Sequence, residues 1–299
     1  MPGGWKTSAP CSGTSARSSW RSRPRRWGAR PPSGSSRGPR KRRARDASPS
    51  WTVTTSARSW GPDVSDRLPT GIEGFDLLVQ GGFPARSVSL VAGPAGGGKS
   101  LFALHFCHAG ARRYNEPSMY VVLEEAKESL QRVMQMFGMD FGDLEKADRF
   151  LLIDLGELRV SGSQGSPIGF RELQDFLASS LKTAHVRRLV IDSLSAIGLH
   201  YGSAAEYRER LFAFCRFLRG MDVTTLLIAE SPDPHALTQF GVEQFLADSV
   251  VHLGLEEVKG ELRRTLTVRK MRFTKHDTGK HPMHITSVGI EVAADEKVV

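Results

Sequence analysis

The stretch that decides the fold of this chain is Gly93-Pro94-Ala95-Gly96-Gly97-Gly98-Lys99-Ser100. It matches the pattern G-x-x-x-x-G-K-[ST] at every fixed position. The apolar residues 87–92 before it predict a short buried strand, and residues 99–113 after it predict a helix. A strand, a glycine-rich turn and a helix N-terminus are together the setting in which this loop binds a polyphosphate.

Each residue type in the loop has a physical role in holding phosphates. Glycines let successive backbone N–H groups turn inward around a polyphosphate, and the start of the helix adds a partial positive charge. Lys99 is expected to contact the β- and γ-phosphates, and the Ser100 hydroxyl is expected to ligate Mg²⁺. The eight residues 93–100 therefore predict a bound nucleoside triphosphate. No guanine-reading motif is visible, so ATP is the expected nucleotide. GTP remains the alternative.

A second candidate is the carboxylate at the end of another predicted strand, 187–192. This apolar strand ends at Asp192, 93 residues after Lys99. In a chain with a phosphate-binding loop, a carboxylate at the end of a buried strand holds Mg²⁺ through water. An ordinary strand that happens to end in Asp is the alternative. We expect Asp192 to lie beside Ser100, so that the two side chains form the metal site.

A third candidate is the pair of carboxylates that follows the predicted strand 119–123. Glu124 and Glu125 are adjacent, so their side chains point to different sides and have different roles. One carboxylate can polarise the water that attacks the γ-phosphate, and the other can hold its partners. A solvated helix N-terminus is the alternative, since acidic residues are common there.

A fourth candidate is the basic pair Lys270 and Arg272 on the predicted strand 264–271. Residues two apart on a strand point to one face. Two like charges on one face require an anionic partner or open water. From the residues alone, a solvated strand edge accounts for the pair equally well.

Apolar runs alternate with helical patterns, which predicts an α/β fold with a mostly parallel twisted sheet and helices on both faces. The predicted helices lie near 99–113, 126–137, 169–184 and 204–220, the last with Phe212 in its core-facing stripe. The predicted strands are 87–92, 119–123, 150–154, 187–192, 224–229, 248–253, 264–271 and 284–291.

The formal net charge of +9 belongs to the first part of the chain. Residues 1–60 carry 14 Lys and Arg and one acid, which leaves 27 basic and 31 acidic residues in the other 239. Residues 1–64 have no apolar stripe and predict a disordered basic tail, before a single ATPase domain over 65–299. The basic run 40–45 suits a nucleic-acid or membrane-surface patch, and the composition also resembles a transit peptide. A start site placed too early is the favoured explanation of this composition.

Several classes of protein are excluded by composition. No apolar run reaches the roughly 18–20 residues that a membrane span requires, and no apolar h-region of a signal peptide is visible. The three cysteines, Cys11, Cys107 and Cys215, form no CxxC pair, which excludes a zinc ribbon. We therefore expect a cytoplasmic protein without a membrane partner.

Taken together, residues 68–293 resemble the KaiC-like branch of the RecA superfamily of ATPases. The resemblance implies a RecA-like P-loop NTPase fold, and its specificity comes from the combination of motifs. These motifs are the lead-in 68–76 and 81–84, the P-loop 93–100, Leu123-Glu124-Glu125, Ile191-Asp192-Ser193, the stretch 241–248, and Lys270-Met271-Arg272 followed by Thr274, His276, Gly279 and Pro282.

The resemblance also implies roles for the candidate residues. It implies a homo-oligomeric ring of six subunits with ATP at the interfaces between neighbours. Glu124 becomes the base that activates water, with Glu125 in support. Lys270 and Arg272 reach the nucleotide of the neighbouring subunit, where such cations stabilise transition-state charge. Glu230, at the end of the predicted strand 224–229, lies where the superfamily senses the γ-phosphate.

Three departures from the family pattern limit what is carried over. The chain contains one ATPase domain, whereas some family members have two in tandem. Gln244 and Phe245 stand where the Ser-Thr pair of the autokinase members would fall, so autokinase activity is not expected. In the family, the position of Gly97 is commonly Thr or Ser, and the position of Ser100 is commonly Thr. The extra glycine at position 97 is expected to loosen the loop.

These residues are compatible with three functions. The favoured one is a regulatory or signalling ATPase that works as a ring with an unknown protein partner. The alternative is a RecA/RadA-like DNA-dependent ATPase in repair or recombination, which would use the loop 231–248 to bind DNA. That loop has no Lys or Arg but contains Asp233, Glu243 and Asp248, so nucleic acid is not an expected partner. A nucleotide-binding module without activity ranks last because every candidate catalytic residue is present.

Overall fold

A computed structural model of the chain describes residues 66–139, 141–156, 168–232 and 236–298. The expectation for residues 1–64 lies outside the described residues. The strands are β1 Arg67–Leu68, β2 Phe83–Pro84, β3 Val88–Gly93, β4 Ser118–Val122, β5 Phe150–Asp154, β6 Arg188–Asp192, β7 Thr224–Glu230, β8 Ser249–Val258, β9 Glu261–Met271, β10 Lys280–Thr286 and β11 Gly289–Val292. The helices are α1 Phe75–Leu78, α2 Lys99–Arg113, α3 Lys127–Met136, α4 Gly142–Lys146, α5 Phe170–Thr183, α6 Leu194–Gly198, α7 Ala204–Arg219 and α8 Glu243–Leu246.

Nine of these strands form one sheet in the order β11-β10-β9-β8-β3-β7-β6-β4-β5. The six strands from β8 to β5 in that order are parallel, and β9, β10 and β11 extend the sheet in antiparallel fashion. The predicted α/β fold with a mostly parallel sheet is confirmed. Because β3, β4, β6 and β7 are parallel, their carboxyl ends meet at one edge, where ligands bind in such sheets.

The central strands are apolar throughout because helices cover both faces of the sheet. All six residues of β3 are buried. One core layer includes Phe102 of α2, and the other includes Leu177 of α5 and Phe214 of α7. The prediction that Phe212 belongs to the core stripe of α7 is wrong. Its side chain is 48% exposed, and the Arg216 guanidinium lies over its ring.

Two predicted strand boundaries are also wrong, and both errors arise at tight hairpins. The apolar stretch 284–291 is divided between β10 and β11, where Thr286 pairs with Gly289 across a two-residue turn. The hairpin of β8 and β9 extends through residues 254–263, most of which are polar or glycine, to a turn at Lys259 and Gly260, both with positive φ. Residues with positive φ at both central positions favour such turns, so the ladder continues where apolar patterning stops.

Among the described residues, no helix is long and apolar enough to cross a membrane.

Candidate functional site

The P-loop connects the carboxyl end of β3 to the N-terminus of α2. The turn is closed by a hydrogen bond from the Gly97 N–H to the Pro94 carbonyl, 3.1 Å long. Gly98 has φ +95°, a conformation that favours glycine. A Cβ at Gly97 would lie 3.0 Å from the Pro94 carbonyl oxygen and 3.3 Å from that of Leu253. The extra glycine at position 97 therefore permits close packing of this turn against the loop and β8.

Lys99 begins α2 and points back into the loop. Its ammonium group donates a 3.0 Å hydrogen bond to the Pro94 carbonyl. Burial lowers the pKa of Lys99, while the nearby carboxylates of Glu230 and Asp192 oppose that shift. The ammonium group thus lies close to the loop's backbone groups, with two carboxylates near enough to act on its charge.

Ser100 and Asp192 are brought together, as the sequence predicted. The Ser100 hydroxyl donates to Oδ2 of Asp192 at 2.8 Å, and the Tyr120 hydroxyl donates to the same oxygen at 2.6 Å. Burial raises the pKa of Asp192, and the hydrogen bonds from Tyr120 and Ser100 act against that shift. Burial and the Asp192 charge raise the pKa of Tyr120 well above its usual range, so the phenol remains a proton donor.

Hard oxygen ligands of this kind suit Mg²⁺. Magnesium is held by one or two protein oxygens plus water and substrate phosphates, and not by a complete protein cage. Among the described residues, no group of three or more His, Cys, Asp or Glu is arranged to hold a metal. The Ser100 hydroxyl and the Asp192 carboxylate therefore fit a magnesium–nucleotide site, in which phosphates complete the coordination.

The two adjacent carboxylates after β4 have different partners. Oε2 of Glu124 accepts a 3.2 Å hydrogen bond from the hydroxyl of Ser193, the residue that follows Asp192. The Glu125 charge contributes to raising the pKa of Asp192. Oε1 of Glu125 accepts a 2.6 Å hydrogen bond from Ser129 in α3. Glu124 therefore faces the end of β6, and Glu125 is held at the start of a helix.

Glu230 is the last residue of β7 and pairs in register with Gly93, the first residue of the P-loop motif. Its side chain is exposed. Its backbone N–H donates to the Ser195 hydroxyl at 3.1 Å. The exposed carboxylate thus lies at the same edge of the sheet as Lys99 and Asp192.

The structure does not bring Lys270 and Arg272 to the P-loop of their own chain. Lys270 pairs with Val250, which lies beside Leu90, three residues before Gly93. The backbone of Lys270 therefore lies about 10 Å before the start of the loop along the strand direction and about 10 Å away from β3 across the sheet. The Lys270 ammonium group donates to the carbonyls of Ala247 at 2.6 Å and Gln244 at 3.3 Å.

Arg272 is also held on the segment before β8. Its guanidinium, 54% exposed, lies 3.5 Å from Oδ1 of Asp248. Asp248 in turn accepts the Val88 N–H at 3.0 Å and the Arg219 Nε–H at 2.9 Å. Burial and the neighbouring Arg272 charge lower the pKa of Lys270. The two cations thus form a surface group separate from the P-loop.

Two acids of the loop 231–248 have structural roles, which corrects part of the charge argument. Asp248 binds Arg219 and Val88, as described above. Glu243 is buried and accepts hydrogen bonds from the Thr238 hydroxyl at 2.7 Å and the Val242 N–H at 3.0 Å. Asp233 lies outside the described residues. The lack of Lys and Arg in the loop stands, but these two carboxylates are not charges that a DNA strand would meet.

Three side chains that contact the site had no role assigned from the sequence. Tyr120 and Ser193 contact Asp192 and Glu124 respectively, and the Arg264 Nε–H donates to the Gly96 carbonyl at 3.0 Å. Ser193 lies in the motif Ile191-Asp192-Ser193, and Tyr120 lies in the predicted strand 119–123 that precedes Glu124, so these two segments were the available signals. Arg264 is far from the P-loop in sequence, and nothing in its local pattern indicates this contact.

Comparison with known proteins agrees with this geometry. The family model described as "ATPase: KaiC" matches residues 68–297. This chain belongs to the KaiC family of ATPases. The resemblance inferred from the motifs is confirmed, and membership of the family implies nucleotide binding.

Relatives of this KaiC-family chain include both single-domain and longer proteins. It is 34% identical over 238 residues to the UPF0273 protein of Methanocaldococcus jannaschii, covering 77% of this chain and 97% of that protein. It is 32% identical to the circadian clock oscillator protein KaiC of Prochlorococcus marinus, covering 76% of this chain but only 46% of that protein. The chain thus spans less than half of the clock protein. The crystal structure of a KaiC-like protein from Pyrococcus horikoshii superposes with TM-score 0.67 at 36% identity, covering 76% of this chain and 98% of that one.

Proposed function

We propose that this protein hydrolyses ATP with Mg²⁺ and works as a regulatory ATPase in a homo-oligomeric ring. The observation that supports this best is the convergence of Lys99, Ser100, Asp192, Glu124 and Glu230 at one edge of the sheet. Such a set combines phosphate binding, metal binding and a carboxylate beside them. A module that only binds nucleotide has no need of Glu124 at this place.

In the proposed reaction, the backbone N–H groups of Ala95, Gly96 and Gly98 and the Lys99 ammonium bind the phosphates. Bound Mg²⁺, held through Ser100 and Asp192, would neutralise charge on the β- and γ-phosphates. The Ser193 hydroxyl occupies Oε2 of Glu124. Oε1 of Glu124 is therefore available to orient the attacking water and accept its proton.

The other candidate residues act around this centre. Glu125, bound to Ser129, supports the turn that holds Glu124. Glu230 responds to the γ-phosphate from the end of β7. Lys270 and Arg272 lie too far from their own P-loop, and in the proposed ring they stabilise transition-state charge on the nucleotide of the adjacent subunit.

The ring would have six subunits with ATP at each interface, and hydrolysis would change the interfaces. A change of interface is then the signal that a protein partner reads. With Gln244 and Phe245 at the positions discussed above, autokinase activity is not part of the proposal.

The test is ATP turnover by the full-length chain at fixed salt, with and without single-stranded DNA. We expect Mg²⁺-dependent turnover that DNA does not change. Turnover by the Lys99→Ala variant is expected to fall by at least about 100-fold, because the substitution removes the positive charge that stabilises the transferred phosphate. Absence of turnover in the wild type would refute the proposal. Strong stimulation by DNA would instead support the DNA-dependent alternative.

A further inference from the structure

Tyr120 contacts the proposed metal site from inside the core. Its side chain is fully buried in the centre of the sheet, on β4. Tyr120 pairs with Val190, while Asp192 pairs with Val122, so the phenol must span two residues along the sheet to reach Asp192. Two residues rise about 6.6 Å, which the length of a tyrosine side chain can span. The buried hydroxyl thereby reaches Oδ2 of Asp192 from within the core.

The hydrogen bond itself is short. Its O···O distance of 2.6 Å is in the range of O–H donors to an ionised carboxylate, which are stronger than neutral pairs. A buried hydroxyl costs free energy unless it has a partner, so an apolar core position would favour phenylalanine in the absence of this contact. Asp192 is the acceptor that offsets the cost of burying the Tyr120 hydroxyl.

The arrangement of donors also fixes the orientation of the carboxylate. Tyr120 and Ser100 both donate to Oδ2 of Asp192, and in the described part of the chain no donor reaches Oδ1. Rotation of the carboxylate would break two hydrogen bonds at once. Oδ1 thus keeps its lone pairs for a water of the metal, and Ser100, which donates its proton to Asp192, keeps its own lone pairs for the metal.

We propose that Tyr120 is a positioning residue for Mg²⁺, which holds the Asp192 carboxylate in the orientation that binds the metal–nucleotide complex. This inference rests on the proposed function, because it assigns a role within the same site. Tyr120 touches neither the nucleotide nor the metal and acts through Asp192. Partners of this kind behind metal ligands typically change metal affinity by about 10- to 100-fold when removed.

The test is Tyr120→Phe in the full-length chain, which removes the hydroxyl and keeps the ring. Binding of the fluorescent nucleotide mant-ADP is measured as Mg²⁺ is titrated from zero. We expect the Mg²⁺ concentration for half-maximal tightening to rise about tenfold. The affinity for mant-ADP without Mg²⁺ should be unchanged, because Tyr120 contacts Asp192 and Ser100, the two residues of the proposed metal site, and not the Lys99 ammonium group that binds phosphates. A variant with a generally damaged fold would lose both the response to Mg²⁺ and the affinity for mant-ADP without Mg²⁺.

The matched control is Tyr207→Phe, the same substitution at another buried tyrosine in the opposite core layer. It should leave the Mg²⁺ titration at the wild-type position, and thermal unfolding without ligand checks that both variants fold. An equal Mg²⁺ response in Tyr120→Phe and wild type would overturn the positioning role and leave the proposed function intact. If the affinity of the wild-type protein for mant-ADP does not depend on Mg²⁺, both the positioning role of Tyr120 and the proposed function are overturned.

Discussion

Replacing Asp248 by Asn is expected to lower the free energy of unfolding by about 4 kcal/mol, although it exchanges a single oxygen for an NH₂ group. The Asp248 side chain is 12% exposed and accepts from donors on both oxygens. Oδ2 faces the N–H of Val88 and Nε–H of Arg219, and Oδ1 faces Nη2 of Arg219 and Nη1 of Arg272. An amide has one oxygen and one NH₂ group. In either orientation, the NH₂ group of asparagine would face two N–H donors that now face a carboxylate oxygen.

The magnitude follows from the hydrogen bonds that an amide cannot accept at this position. An NH₂ group in place of Oδ2 loses two hydrogen bonds, and one in place of Oδ1 loses the Arg219 Nη2 hydrogen bond and the Arg272 ion pair. Each hydrogen bond to a charged group contributes about 1.5–3 kcal/mol, and in both orientations the partly buried Arg219 loses its anionic partner, which costs about 3–5 kcal/mol for a buried pair. For a domain of this size, about 4 kcal/mol corresponds to a fall of about 8–16 °C in the unfolding temperature. Thermal unfolding of the full-length chain measures the fall in unfolding temperature, and urea titration measures the loss of unfolding free energy.

Asp222→Asn is the matched control. Asp222 also binds two arginines, Arg86 and Arg187, but its side chain is 61% exposed. Exposed ion pairs contribute about 0–1 kcal/mol, and asparagine tolerates the positive φ of this position. Equal losses of stability in Asp248→Asn and Asp222→Asn would refute the argument that burial and donor geometry decide the effect.

Two further predictions concern pH and assembly. His105 accepts the Ile290 N–H at 3.0 Å, and burial lowers its pKa to about 4, so the unfolded chain binds the proton more tightly. Stability should therefore fall as pH drops from about 6.5 to about 4, by about 3 kcal/mol in total, and urea titrations of His105→Gln should lack this component. In the proposed ring, mixing Lys99→Ala subunits with subunits carrying both Lys270→Ala and Arg272→Ala should restore part of the ATP turnover that each lacks alone. A mixture as inactive as its components would argue against action between subunits.

The sequence predicted the fold well because its signals are local. The P-loop motif, the apolar strands and Asp192 at a strand end all depend on neighbours in the chain, and the parallel sheet follows from their alternation. The proximity of Ser100 and Asp192 was predicted for the same reason, since both lie where parallel strands end.

What the sequence could not provide depends on contacts between distant segments. The Tyr120 hydroxyl reaches Asp192 only because β4 and β6 pair in a particular register. Likewise, Glu243 and Asp248 look like exposed acids of a loop until their partners are known. Phe212 is a different case, because the buried residues Tyr207, Leu211, Phe214 and Leu218 of α7 follow the 3.6-residue period and leave Phe212 off the stripe. Its exposure could have been predicted from the spacing.

The central claim is that Glu124 is the base of an ATP-hydrolysing site, and one comparison tests it most directly. ATP turnover and mant-ATP affinity are measured for wild type, Glu124→Gln and Glu125→Gln. The account predicts that Glu124→Gln binds the nucleotide as wild type does but turns over about 10²- to 10⁴-fold more slowly, with a smaller loss for Glu125→Gln. Undiminished turnover by Glu124→Gln would contradict the account.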